Sequence, residues 1–198
     1  MNEQEIHDKY VNLFEKLKEI IKETQDRIIF SDPDPFFEDN LNFFVKSFLI
    51  SICAYLESYL KEIAFKRIDV INSKLSQLSI PRNLVQWELL RYKDIKDNDL
   101  KFEYLKISIK KNDLDEHISG NPYRTIALFK KIGMNLNAIE GFVYKKDIVT
   151  SIVVKRNNIV HHNSHASDVS MADLMIYIDN IIDYMDSITQ AVKIENTK

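Results

Sequence analysis

Three glycines and four prolines among 198 residues leave this chain little material for tight turns. Hairpin-rich sheets need such residues at nearly every reversal, so an all-β architecture lacks its connections. Long helices with few loops suit the chain better, and the hydrophobic pattern agrees. Residues 3–30 place Ile6, Tyr10, Leu13, Phe14, Leu17, Ile20, Ile21 and Ile28 at helical spacings, with Lys and Glu between them. "SDPDP" at 31–35 ends that helix, because each proline drives its predecessor out of the α region. A second helix is expected from about Phe37 to Ile71, apolar around most of its middle and therefore central in a bundle.

Pro81 suits the first turn of a short helix reaching Tyr92. Residues 93–122 mix helix and strand signals, with "KKNDLDEH" at 110–117 read as a solvated loop and "SGNP" at 119–122 as a turn. "YRTIALFKKIG" gives another short helix, stopped at Gly133. A helix from about Lys145 to His162 follows, and Ser170 with Asp173 opens the last one in capping-box fashion. The expectation is a single all-α domain over residues 1–198, a bundle of long antiparallel helices with 93–122 as an inserted or capping segment.

The formal net charge of −3 argues against a chain-wide nucleic-acid surface; binding of that kind needs a local basic patch. Cys53 is the one cysteine, so an intrachain disulfide and cysteine-based zinc sites are excluded, and it reads as a core residue in a reducing compartment. The N-terminus lacks a signal-peptide pattern, and the apolar run from Phe43 to Leu56 carries Lys46 and is short for a bilayer. A cytoplasmic protein without membrane association is expected.

"VVKRNNIVHHNSH", residues 153–165, departs from this plain pattern: it holds three of the five histidines. On a helical wheel Ile148, Ile152 and Ile159 form one part of an apolar arc and Val149, Val153 and Val160 the adjacent part, with Arg156 inside it. Asn157 and His161, four apart, share a face beside Arg156. A guanidinium in an apolar face is costly unless paired, so its presence asks for a reason. Imidazole moves protons near neutral pH, guanidinium offers a planar fork for phosphate oxygens, and a carboxamide orients either. Together they suit phosphoryl chemistry without a metal, and RNA supplies its own nucleophile in the 2′-hydroxyl. Lys145, Lys146 and Lys155 make the same helix locally basic, which fits RNA binding.

The run Arg156-Asn157-Asn158-Ile159-Val160-His161 resembles the signature of HEPN domains: an arginine, a polar residue, and a histidine after four intervening residues. "FFVKSFLISICAYLESYLKEIA" looks like the long helix that precedes the motif helix in bacterial members, and "NPYRTIALFKKIG" is also similar. The resemblance is loose over most of the chain and close over 148–188. It implies a helical bundle that dimerises and brings two motifs into one cleft. There, single-stranded RNA is cut without metal or other cofactor, leaving a 2′,3′-cyclic phosphate and a 5′-hydroxyl. By position, Arg156 stabilises the scissile phosphate, Asn157 matches the polar residue and His161 is the acid/base. The setting implied is bacterial defence or a toxin–antitoxin pair, with an antitoxin or another regulatory protein as a further partner.

Several readings stay open at this stage. His162 also satisfies the family spacing. His161 and His165, four apart, form half of a metal site that only Asp168 lies near enough to extend, while histidines at a helix end also simply favour the negative end of its dipole. Glu57 either pairs with Arg156 or is solvated beside Tyr59 and Lys61. Tyr55 and Tyr59 read as core rather than base-stacking groups. The rival to catalysis is a non-catalytic HEPN-like module that binds a nucleotide or a partner and dimerises.

Overall fold

The computed structural model of the chain describes every residue except Ser31, Tyr92, Asp94 and 163–167, and only the backbone of His161 and His162. Seven α-helices are seen among the described residues: α1 (Glu3–Ile29), α2 (Pro35–Asp39), α3 (Leu41–Leu78), α4 (Arg82–Leu89), α5 (Pro122–Lys131), α6 (Glu140–His162) and α7 (Met171–Thr197). Short 3₁₀ turns occupy Asp97–Asp99, Lys111–His117 and Leu136–Ala138. The described residues contain no strand, only an isolated antiparallel bridge between Pro81 and Tyr104. The fold is all-α.

Local chemistry sets the helix ends. Asn2 opens α1 with a capping box, its side chain accepting from the Glu5 N–H at 2.8 Å while Glu5 accepts from the Asn2 N–H at 2.9 Å. Ser170 and Asp173 do the same for α7. Gly133, at φ 80, takes the left-handed conformation that stops α5. The single helix expected from Phe37 to Ile71 is instead divided. Asp34 caps a short α2 that begins at Pro35, Asn40 breaks the run, and α3 continues to Leu78, where Ser79 turns left-handed at φ 48. By length and composition alone α3 is able to cross a bilayer. Its Leu49, Ile52, Leu56, Leu60 and Ile63 are nevertheless fully enclosed by the other helices.

Helices α1, α3, α6 and α7 form the bundle, and side-chain pairs fix their directions. Lys9 of α1 meets Glu62 of α3 and Tyr10 packs edge-on against Tyr59, so α1 and α3 run antiparallel. Lys145 of α6 meets Asp183 in the middle of α7 and Lys155, further along α6, meets Asp168 just before α7 begins, so this pair is antiparallel too. Tyr59 donates to the Met185 carbonyl and Arg67 to the Glu195 carbonyl, which makes α3 and α7 a parallel pair across the bundle. Both are therefore central. Tyr59, wholly buried with its hydroxyl also bonded to Thr189, is core, and Tyr55 packs edge-on against Phe14.

Two expectations need correction. Val160 does not continue the buried arc of α6; it is 50% exposed, two turns beyond the enclosed Val153 and nearer the helix end, while Ile159 still faces the core. The "KKNDLDEH" run is mostly solvated, as expected, but it is not a plain loop. It winds into a 3₁₀ turn that drives Leu114 into the core and pairs Asp115 with Lys61.

After α4 the chain returns along α3 in the opposite direction. The Leu105 N–H bonds the Ile80 carbonyl and the Ile107 N–H bonds Asn72 Oδ1. Lys111 then meets Glu62, Asp115 meets Lys61, and the Gly120 N–H meets Glu57. The segment expected as a cap is thus a strap that descends α3 to the middle of the bundle.

Candidate active site

The strap delivers Gly120 to the place where α3 faces α6. Its N–H donates to Glu57 Oε1 at 3.2 Å, and the same oxygen accepts from Arg156 Nη2. Asn121 and Pro122 hold this turn, Asn121 by capping α5 through the Tyr123 N–H at 2.9 Å and Pro122 by filling the first helical position. A side chain at position 120 is tightly confined. A Cβ there stands 3.1 Å from Val153 Cγ2, 3.6 Å from Leu56 Cδ2 and 3.7 Å from Glu57 Oε1.

Arg156 is largely enclosed, its side chain 19% exposed and Glu57's 31%. The pair lies at a rim rather than in the deep core, so its guanidinium is within reach of a ligand. Its Nε is buried and makes no hydrogen bond among the described residues. Cys53, one turn before Glu57 on α3, lies under the guanidinium. Burial pushes its thiol up to about 11, Arg156 pulls the other way, and Glu57 adds to the rise.

Along α6, Asn157 follows Arg156 and is half-buried, and His161 comes five residues after Arg156, about 7.5 Å further along the axis. The backbone of His161 and His162 is helical, while their side chains and all of His165 lie outside the described structure. The choice between His161 and His162 therefore rests on helix geometry, in which Asn157 and His161 share a face. Among the described residues no three His, Cys, Asp or Glu side chains gather as a metal site. Asp168, the carboxylate nearest the histidines in sequence, is engaged by Lys155, which holds the Asp168 carboxyl below its usual range.

The three lysines of α6 differ in circumstance. Lys145 bonds Asp183 at 2.7 Å and Asn180 at 3.0 Å on α7, and Lys155 bonds Asp168 just before that helix, so both charges are met by carboxylates. Lys146 instead lies over the ring of Tyr123, an exposed residue, at 5.2 Å. Sequence reasoning did not reach Gly120, whose contribution is a backbone N–H, or Cys53, whose neighbour Arg156 is distant in the chain. The "SGNP" turn was the one available signal for the former.

An all-α bundle is the fold of a HEPN-type, nuclease-like domain, and here the penultimate helix carries the arginine, the polar residue and the histidine. The chain belongs to the RiboL-PSP-HEPN family, whose model matches residues 8–193. No curated protein and no solved structure matches it.

Proposed function

We propose that the chain is a metal-independent endoribonuclease that cuts single-stranded RNA. The substrate's 2′-hydroxyl attacks the adjacent phosphorus and the 5′-oxygen leaves, giving a 2′,3′-cyclic phosphate and a 5′-hydroxyl. Arg156 stabilises the charge that develops on the pentacoordinate phosphate, Asn157 orients the phosphate or the imidazole, and His161 transfers a proton. In-line displacement benefits from both a base and an acid, and a homodimer with a two-fold axis through the cleft supplies two histidines. A bacterial defence or toxin–antitoxin role, with an antitoxin as partner, fits such an enzyme.

The observation that carries this reading is the held arginine. Arg156 stands at the α3–α6 rim, fixed by a carboxylate that is itself fixed by the Gly120 N–H, and one and a half turns before His161. Preorganised charge of this kind is what phosphoryl-transfer electrostatics require. The test is cleavage of a single-stranded RNA in EDTA by wild type, Arg156→Ala and His161→Ala, with the 3′ ends identified. The expected result is cyclic phosphate from wild type and none from either folded variant.

One observation favours a second reading. Arg156 directs part of its fork to Glu57, as a clamp between α3 and α6 does. In a non-catalytic nucleotide- or partner-binding dimerisation module that clamp is the residue's purpose. Wild type then cuts no RNA, and Arg156→Ala lowers the melting temperature.

A further inference from the structure

The upper part of the strap carries chemistry that the bundle does not use. From Lys101 to Lys111 the chain holds four lysines and one glutamate, in a protein of net charge −3. Burial alternates along it: Glu103, Leu105 and Ile107 turn toward α3 and α4, while Phe102, Tyr104, Lys106 and Lys110 turn outward. Phe102 is 97% exposed and Tyr104 63%. An aromatic ring left almost wholly in water contributes nothing to the core, and two of them beside cations form a recognisable surface. Phe102 and Tyr104 flank a groove of ≈ 320 Å³, also lined by Pro81, Asn83, Lys101 and Glu103. The groove is fixed, because the Lys101 N–H bonds Asn83 Oδ1 at 2.9 Å and Arg82 holds Glu103.

We propose that this outward edge is a second binding surface for single-stranded RNA, on which Phe102 and Tyr104 stack bases while Lys101, Lys106 and Lys110 follow the phosphates. Aromatic faces interleaved with cations suit a single strand, because every base has a π-face and every linkage a charge. The strap then leads toward the candidate active site, since its successive contacts with α3 descend from Asn72 to Glu57, about 22 Å along the helix. Substrate gripped at the edge is long enough to reach Arg156 only as an oligonucleotide. The inference rests on RNA being the substrate class, and it adds a preference for length.

The test is fluorescence anisotropy of a labelled 20-nucleotide single-stranded RNA and a 4-nucleotide RNA, with the full chain in the non-cleaving His161→Ala background. Phe102→Ala/Tyr104→Ala and Lys101→Glu/Lys106→Glu are compared with their parent. All four positions are exposed, so circular dichroism and melting temperature should be unchanged. The expected result is affinity for the 20-mer lowered about tenfold or more in each variant, with the 4-mer little affected. Unchanged 20-mer affinity overturns the proposal, as does a parent that binds no RNA. A change in oligomeric state by sedimentation with RNA affinity intact also overturns it and makes the edge a contact between copies. Cleavage by wild type is scored separately: binding through the edge without cleavage leaves this proposal standing and removes the nuclease reading, and cleavage indifferent to the edge variants does the reverse.

Discussion

Arg156 and Glu57 stand ninety-nine residues apart in the chain and share one hydrogen bond across α6 and α3, on an oxygen that also accepts the Gly120 N–H. Three separate stretches of sequence therefore meet at one carboxylate oxygen. Removing that oxygen releases the guanidinium and the strap together.

Glu57→Ala should destabilise the fold by about 1–3 kcal/mol, less than for a fully buried pair because solvent reaches the rim. Glu57→Gln keeps an acceptor for Gly120 and should lose about half as much. Urea unfolding midpoints check both. If the pair positions Arg156 for phosphate, Glu57→Gln also raises KM for RNA or lowers kcat at a urea concentration where the protein is still fully folded.

Gly120 tests the same junction from the backbone side. An added methyl meets Val153 Cγ2 at 3.1 Å, and a small shift of that side chain accommodates it. Gly120→Ala should therefore cost about 1 kcal/mol or less, and Gly120→Val, which forces the strap away from Glu57, about 1–3 kcal/mol. Thermal melts of the two variants give the ranking. A harmless valine removes the argument that the strap must approach α3 this closely.

The α6 lysines are expected to differ in RNA binding because their surroundings differ. Lys145 already faces Asp183 and Asn180, whereas Lys146 rests on the ring of the exposed Tyr123. Lys146→Ala should lower the slope of log affinity against log salt by about 0.7, the value for one single-strand phosphate contact. Lys145→Ala should leave it nearly unchanged, and Asp183→Asn, which frees Lys145, should strengthen binding. Salt titrations of anisotropy distinguish these outcomes.

The limits of the sequence follow the same physics. The periodicity of α1 and α7, the capping box at Ser170 and the stop at Gly133 are local, and local signals were legible. The Arg-Asn-x-x-x-His run was legible for the same reason, since it lies on one helix. Glu57 attracted notice as a carboxylate on the flank of an apolar helix, but its partner is set by tertiary packing. Val160 shows the converse limit: a wheel treats every turn of α6 alike, although the bundle does not cover its last turns equally. Leu114 was a single apolar residue among charges, too little pattern to reveal that the strap is pinned there. Lys145 and Lys155 looked free on the wheel of α6 because the carboxylates that meet them lie off that helix, Asp183 on α7 and Asp168 just before it.

Cys53 offers a readout of the arginine's surroundings that does not depend on catalysis. Its buried thiol is pushed up to about 11, burial being the main cause and Arg156 the main opposition. An unfolded thiol loses its proton near 8.5. Between about pH 8.5 and 11 the unfolded chain has released a proton that the folded chain keeps. The stabilisation from the neutral thiol is therefore whole below about 8.5 and is lost as pH rises toward 11, by up to about 1.4 kcal/mol per pH unit. Other groups titrate in this range, so the informative quantity is a difference. The stability advantage of wild type over Cys53→Ala, from urea unfolding at pH 8, 9 and 10, should shrink steadily. Iodoacetamide should also label native Cys53 at pH 8 far more slowly than the urea-unfolded chain. An advantage that stays constant with pH means the thiol titrates normally and is not enclosed beneath Arg156.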